Sequence, residues 1–431
     1  MYLVSPMSPR ALPYNSAFDL LTTTACDLQE RLENGTTTSE ALVRVYLNQI
    51  HKHNVKGMGL RAMISVRSEE DLLRVARELD SERKSKGSRG PLHGIPVIVK
   101  DTYNTPSIGL ETTCGSFALK GAVPREDAAV VKRALEVGMI ILGKTNLSEL
   151  GNFKGIFNTA GWSAVDGQTL SPYVRGGVLA DGTFLGHSTP SGSSSGSCVG
   201  VAAGFAPVAL GAQTDGSVVQ PASRAALFAL KMTPALADCS GTQPGNSDFD
   251  SLGVMSKSAT DILNLWNYVL APASDKIARS QLPSDWKDLR VGFVDPYKWQ
   301  PADFVTGPNE EFRKQSISEL NDAAHKIGLA GSRVVRDVDL VQTPQGFDDL
   351  VVDVIMAPSD SRLVSVASAA GCPVANVPLG FARFNGRAHG LNVIARPRDE
   401  RALLQVMLAW QGTFPEALAP PPMMTGAISS L

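Results

Sequence analysis

The part of the chain that most restricts its fold begins after Gly87, where two short, wholly apolar runs flank a helix-length amphipathic stretch. The runs are residues 95–99 and 139–142, and the stretch between them is residues 127–137. Four or five consecutive apolar residues with no polar alternation describe a strand buried on both faces, which requires helices packed over a sheet. Strand, helix and strand in that order make an α/β unit. The pattern extends in both directions. Residues 18–53 read as two amphipathic helices, with Leu20, Leu21, Leu28 and Leu32 on one face, then Leu42, Val43, Val45, Tyr46 and Ile50. The polar segment 35–40 supplies a stop and a cap between them.

Residues 63–66 read as a strand and 69–84 as a charged surface helix. Downstream, a small-residue helix is expected at 198–204, a strand at 207–211, a helix at 259–270, a strand at 289–294 and a helix at 309–327. Strands at 374–377 and 391–393 and a closing helix at 398–410 complete the set, while 159–190, rich in Gly, Thr and Pro, reads as long ordered loops. With 431 residues the chain is long enough for two or three domains. No low-complexity linker and no repeat divides it, however. The expectation is one large domain over residues 1–431, with a core at about 18–412 and loose termini.

Composition removes several classes of function. The 40 Lys+Arg and 42 Asp+Glu give a net charge of −2, without the basic surface that nucleic-acid binding requires. A hydrophobic content of 43% places the chain among globular proteins, not disordered ones. No apolar run reaches the 18 residues of a transmembrane span, and residues 1–17 lack the apolar core of a secretory signal. The five cysteines are odd in number and form no close pairs, so neither a disulfide framework nor a zinc site is expected. His51 and His53, two apart on a helix, face different sides. The expectation is a cytoplasmic enzyme without metal or cofactor, and a homodimer by base rate.

Two motifs match in letters and fail in physics. Residues 138–145 fit the phosphate-binding P-loop pattern, but their centre is Met-Ile-Ile-Leu, a buried strand and not a turn able to wrap phosphate. Residues 192–196 fit the G-x-S-x-G nucleophile elbow, which needs a strand running directly into the serine. Pro190 and a loop-like segment occupy that place. His325 and His389 are available as its downstream histidine, but neither sits in a recognisable loop signature.

Three polar points remain on an apolar scaffold: Lys100 at the end of the 95–99 strand, Ser193 in the Ser/Gly run 191–197, and Ser217 just past the strand ending at Leu210. With them the chain resembles the amidase signature family of serine hydrolases over nearly its whole length. Residues 90–101 (GPLHGIPVIVKD) resemble the family's catalytic-lysine segment, and 190–197 (PSGSSSGS) its Gly/Ser-rich signature. Residues 211–221 (GAQTDGSVVQP) fall where the family carries its nucleophile loop, and Ser193 and Ser217 keep the family's spacing between its two catalytic serines. The resemblance implies a mixed, open, twisted sheet with helices on both faces. It also implies a Ser–Ser–Lys triad, with Ser217 as nucleophile, Ser193 as proton bridge after a cis peptide, and Lys100 as base. The oxyanion hole would be the backbone N–H groups of Thr214, Asp215, Gly216 and Ser217.

The chemistry sets its own requirement. A serine hydroxyl needs a base within hydrogen-bond reach, and a lysine serves only when neutral, so burial must bring its pKa down from about 10.4. The reaction expected is hydrolysis of a non-peptide carboxamide C–N bond through a Ser217 acyl-enzyme, on a small or medium substrate that is apolar near the leaving group. Rival readings are an amide- or ester-forming acyltransferase using the same acyl-enzyme, and a non-catalytic or partner-dependent subunit. The sequence departs from the family pattern at Asp215, where glycine is usual, and at Val219, where arginine is usual. Gln213 stands for aspartate, and Ser191 and Ser195 stand for glycines. The interval from Val334 to Phe347 is short for the family. Phe153, Phe157 and Trp162 are the apolar candidates for a pocket wall.

Overall fold

The computed structural model describes residues 18–153, 159–179, 183–340 and 351–425. Its N-terminal helices α1 (Ala25–Glu33) and α2 (Ser39–His53) start at Thr24 and Thr38, whose hydroxyls accept from the amides of Asp27 and Ala41. Strand β1 (Met63–Val66) follows, then α3 (Glu69–Lys86), with acidic residues in its first turn and basic ones in its last, as the helix dipole favours. Next come β2 (Pro96–Lys100), α4 (Ala129–Glu136) and β3 (Ile140–Thr145). The strand–helix–strand unit read from the sequence is therefore present. Residues 159–179 include a small hairpin of β4 (Trp162–Ser163) and β5 (Gly167–Gln168).

The second half adds α5 (Ser195–Ala202), β6 (Val208–Gln213), α6 (Val219–Ser223), β7 (Phe228–Lys231) and β8 (Ser251–Ser256). Beyond them lie α7 (Ala259–Leu265), β9 (Arg290–Val294), α8 (Asp303–Thr306), α9 (Glu310–Leu329) and β10 (Arg333–Val338). Strands β11 (Val354–Pro358), β12 (Val374–Phe381) and β13 (Ala388–Ala395) follow, and the last long helix is Glu400–Thr413.

Eleven strands form one open sheet in the order β1-β3-β2-β6-β8-β7-β12-β13-β11-β9-β10. The β3–β2–β6 and β11–β9–β10 neighbours run parallel and the remaining pairs antiparallel, so the sheet is mixed as expected. Helices flank it. β2 is buried at every residue because it has strands on both sides and helices above, which is why its sequence carries no polar alternation.

Four strands of the main sheet fall outside the sequence reading, β7, β8, β10 and β11, as does the small β4–β5 hairpin within the expected loops. β8 (Ser-Leu-Gly-Val-Met-Ser) hides its strand character behind Ser and Gly, while β10 (Arg-Val-Val-Arg-Asp-Val) is a partly exposed edge. The helix expected at 259–270 divides, with α7 giving way to a π turn over Trp266–Leu270 that the amide of Ala271 closes onto the Trp266 carbonyl. Asp127, expected inside α4, lies before it and accepts from the Ser107 amide.

Candidate active site

Parallel strands β2 and β6 pair through Val99 and Leu210, so the residues that follow their carboxyl ends meet at one edge of the sheet. Lys100 ends β2 and is 2% exposed. Its ammonium lies 2.7 Å from the Ser193 hydroxyl and donates to the Ala212 carbonyl at 2.9 Å. Burial pushes the Lys100 amine down to about 7, so a large fraction is neutral at physiological pH. That is the protonation state in which an amine can accept a proton.

Ser193 is placed by its main chain as well as by Lys100. The Gly192–Ser193 peptide is cis. The Ser193 carbonyl accepts from the Ser148 amide at 3.1 Å, and the next amide, of Ser194, donates to the Ser217 carbonyl at 3.0 Å. The last contact joins the signature segment to the nucleophile loop. α5 begins at once after Ser194 and is anchored to β3 by the 2.7 Å hydrogen bond between Thr145 and Ser197. Lys100, Ser193 and Ser217 all line one cavity of about 240 Å³. The sequence thus names three residues that the fold brings together. Among the described residues the Lys100–Ser193 hydrogen bond is formed, and Ser217 lines the same cavity with its carbonyl accepting from the Ser194 amide.

The loop from β6 to α6 has a shape that its residues explain. Gly216 takes a φ of 81°, where a Cβ would also fall 2.6 Å from the Gln220 side-chain oxygen. Gln213 turns its side-chain oxygen back to accept from the amides of Val218 and Val219 at 2.8 and 3.1 Å. The residue that departs from the family's aspartate therefore still supplies an acceptor. Among the described residues the amides of Asp215, Gly216 and Ser217 meet no acceptor, and they lie on the loop that carries Ser217. The Asp215 carboxylate accepts from the Ser365 hydroxyl at 2.9 Å. Val219 is fully buried in α6, so no cation stands at that point.

The loop 242–250 also lines the cavity. Asp250 holds it, accepting from the amides of Gly245 and Asn246 at 2.7 and 2.9 Å and from the Thr214 hydroxyl. Phe153 lines the cavity and is 63% exposed, while Trp162 lies apart in β4 and Phe157 lies outside the described residues. Of the three aromatic candidates, Phe153 is the one on the wall. Asp250 had no signal in the sequence, since an aspartate in a polar loop is unremarkable there. Arg224 had one: it is a guanidinium inside the otherwise apolar or small run 221–230. It follows α6 directly and reaches the carbonyls of Leu185, Gly186 and Thr189.

The two decoy motifs resolve as strand and cap. Lys144 of the P-loop pattern is buried in β3, 2.9 Å from the Asp101 carboxylate and hydrogen-bonded to Tyr103, Glu111 and Thr112. Ser194 at the centre of the elbow pattern is the N-cap of α5 and is fully buried. His389 pairs with Glu319 at 2.9 Å, and His325 lines a cavity with Glu319 and Asp322. Among the described residues no group of three or more His, Cys, Asp or Glu side chains is placed to hold a metal ion. All five cysteines are free, and among the described residues no helix is long and apolar enough to cross a membrane.

The amidase family model matches residues 41–328, and the chain belongs to that family. It is 36% identical over 270 residues to a probable amidase of Arabidopsis thaliana, which covers 62% of this chain and 49% of the relative. A glutamyl-tRNA(Gln) amidotransferase subunit of Deinococcus deserti is 34% identical over 279 residues, or 63% of this chain and 52% of that protein. The chain thus spans about half the length of these curated relatives. The solved native peptide amidase of Stenotrophomonas maltophilia superposes with a TM-score of 0.77 at 27% identity, covering 95% of this chain and 99% of that one.

Proposed function

We propose that the protein hydrolyses a carboxamide through an acyl-enzyme on Ser217. The observation that carries this reading is a buried lysine, held down to about 7, at hydrogen-bond distance from a serine that shares a cavity with a second serine. Ser217 Oγ attacks the amide carbonyl carbon while its proton passes through the Ser193 hydroxyl to the Lys100 amine. The oxygen that becomes negative is met by the amides of residues 214–217. Collapse of the tetrahedral intermediate breaks the C–N bond, and Lys100 returns the proton to the departing amine. Water then attacks the acyl-enzyme and releases the acid. The cavity suits a small or medium amide with an apolar portion against Phe153 and Leu252. Free cysteines suit a cytoplasmic setting.

The test is a serine-directed fluorophosphonate, which reports the nucleophile without knowledge of the substrate. The parent is expected to label, Ser217→Ala not at all, and Lys100→Ala at least about a hundredfold more slowly. Equal labelling of Ser217→Ala overturns the nucleophile, and full-rate labelling of Lys100→Ala overturns the base. Products formed from an amide with and without an added amine separate hydrolysis from acyl transfer.

A further inference from the structure

We propose that Arg224, clamped by Asp360, is a positioning residue that holds the bridging serine in register with the lysine base. The inference rests on the Ser217–Ser193–Lys100 reading above. Arg224 is 2% exposed and sits at the C-terminal end of α6, the helix that begins just after the nucleophile. One of its terminal nitrogens, Nη1, donates to the Gly186 carbonyl at 2.5 Å and lies 3.2–3.3 Å from the carbonyls of Leu185 and Thr189 and the Thr189 hydroxyl. Thr189 Oγ1 in turn accepts from the Ser191 amide at 3.1 Å, two residues before Ser193. The chain of contacts therefore runs from Arg224 through Thr189 to the backbone that presents the bridging hydroxyl. Ser191 itself has a φ of 60°, in the left-handed region that a residue other than glycine holds only when its surroundings require it.

The guanidinium is fixed from behind. Its other terminal nitrogen lies 3.2 Å from Asp360, whose second oxygen accepts from Arg387 at 2.7 Å. Burial opposes the Asp360 charge, but the two guanidiniums outweigh it and hold that carboxyl far below the ordinary range. Arg387 is 1% exposed and lies over the Phe312 ring at 4.5 Å. Breaking a buried ion pair by removing one partner is costly, so both guanidiniums contribute to holding the Asp360 carboxylate in place. A fork that reaches four oxygens of one loop and a carboxylate on the far side cannot be replaced by an ammonium. The clamp also ties together the helix after Ser217, the segment before Ser193, and the residues that follow β11.

The experiment uses the same fluorophosphonate, with labelling rate followed against pH. Thr189→Val keeps the side-chain shape and removes only the hydroxyl, while Arg224→Lys and Asp360→Asn break the clamp at its other two points. Each is expected to slow labelling about tenfold and to move the acid-side midpoint upward from about 7, because a loosened Ser193 segment lets water reach Lys100. The double variant Thr189→Val/Arg224→Lys is expected to lose little more than the worse single, as two links in one path should. A merely structural role would lower the melting temperature and leave the midpoint in place, and that result overturns the proposal. So do parental rates in Thr189→Val and Asp360→Asn, or a double loss equal to the product of the singles. Ser217→Ala in the same series keeps the two readings apart. Labelling that persists there removes the nucleophile, whereas a silent Ser217→Ala beside unchanged clamp variants removes only the clamp.

Discussion

Lys100 shows what one side chain costs and contributes. In the unfolded chain it is an ordinary lysine, protonated below about 10.4, whereas in the fold burial brings it down to about 7. Between those values the unfolded state binds the proton and the folded state does not, so Lys100 makes stability rise with pH across that window. Below about 7 the full penalty of charging a buried amine is present. Lys100→Met is therefore expected to stabilise the fold by about 1–3 kcal/mol near pH 6, with the gain shrinking toward pH 10, while labelling of Ser217 is lost. Urea unfolding at the two pH values measures this, and a variant less stable than the parent at pH 6 contradicts the burial argument. Gln213 carries a second residue-scale expectation. Removing its oxygen in Gln213→Leu leaves the buried amides of Val218 and Val219 unpartnered, at a cost of about 1–3 kcal/mol each, whereas Gln213→Glu keeps an acceptor. Chemical denaturation of the pair should rank Gln213→Glu above Gln213→Leu, and a reversed order would show that the loop takes its shape from elsewhere.

At the scale of elements, the site depends on how closely α5 approaches its neighbours. A Cβ at Gly196 would lie 2.3 Å from the Ala62 carbonyl and 2.6–2.7 Å from the backbone of Asn146, and neither can retreat without moving β1 or the end of β3. Gly196→Ala should lower stability by about 3 kcal/mol or more and slow Ser217 labelling, since α5 would be pushed away with the Ser193 segment at its start. A melting temperature within a degree of the parent would contradict that close approach. This packing also explains what the sequence disclosed. Continuous apolar runs such as 95–99 and 139–142 identify strands because only full burial tolerates them. β8 is equally buried, but Ser251, Gly253 and Ser256 interrupt its apolar residues, and at Gly253 a Cβ would fall 2.8 Å from the Val218 side chain, so the strand carries no continuous apolar run. The site divides in the same way. Lys100, Ser193 and Ser217 stand in distinctive local contexts and were readable, whereas Asp360 and Arg387 act through partners more than twenty residues away, which a single sequence does not reveal.

On the scale of the whole molecule, the catalytic candidates gather toward one end of the sheet order, Lys100 at the end of β2 and Ser217 just past β6, yet the clamp on Arg224 is anchored beyond β11, near the other end. Between the two ends no strand is missing: β8, β7, β12 and β13 connect them through continuous antiparallel pairing. The buried core is likewise contiguous, from Leu28 in α1 to Trp410 in the last long helix. A chain whose site draws on both ends of one sheet has no reason to melt in halves. Heating or denaturant is therefore expected to give one cooperative transition, with loss of helix and sheet signal coinciding with exposure of the buried Trp266, Trp286 and Trp410. Those tryptophans lie on the C-terminal side, and far-UV circular dichroism samples the whole chain. The two midpoints should agree within error, and the Ser217 labelling capacity should disappear with them. An early circular-dichroism phase with the tryptophans still buried would divide the molecule into two units. The clamp would then be an inter-domain contact, and its variants should shift only the first of the two transitions.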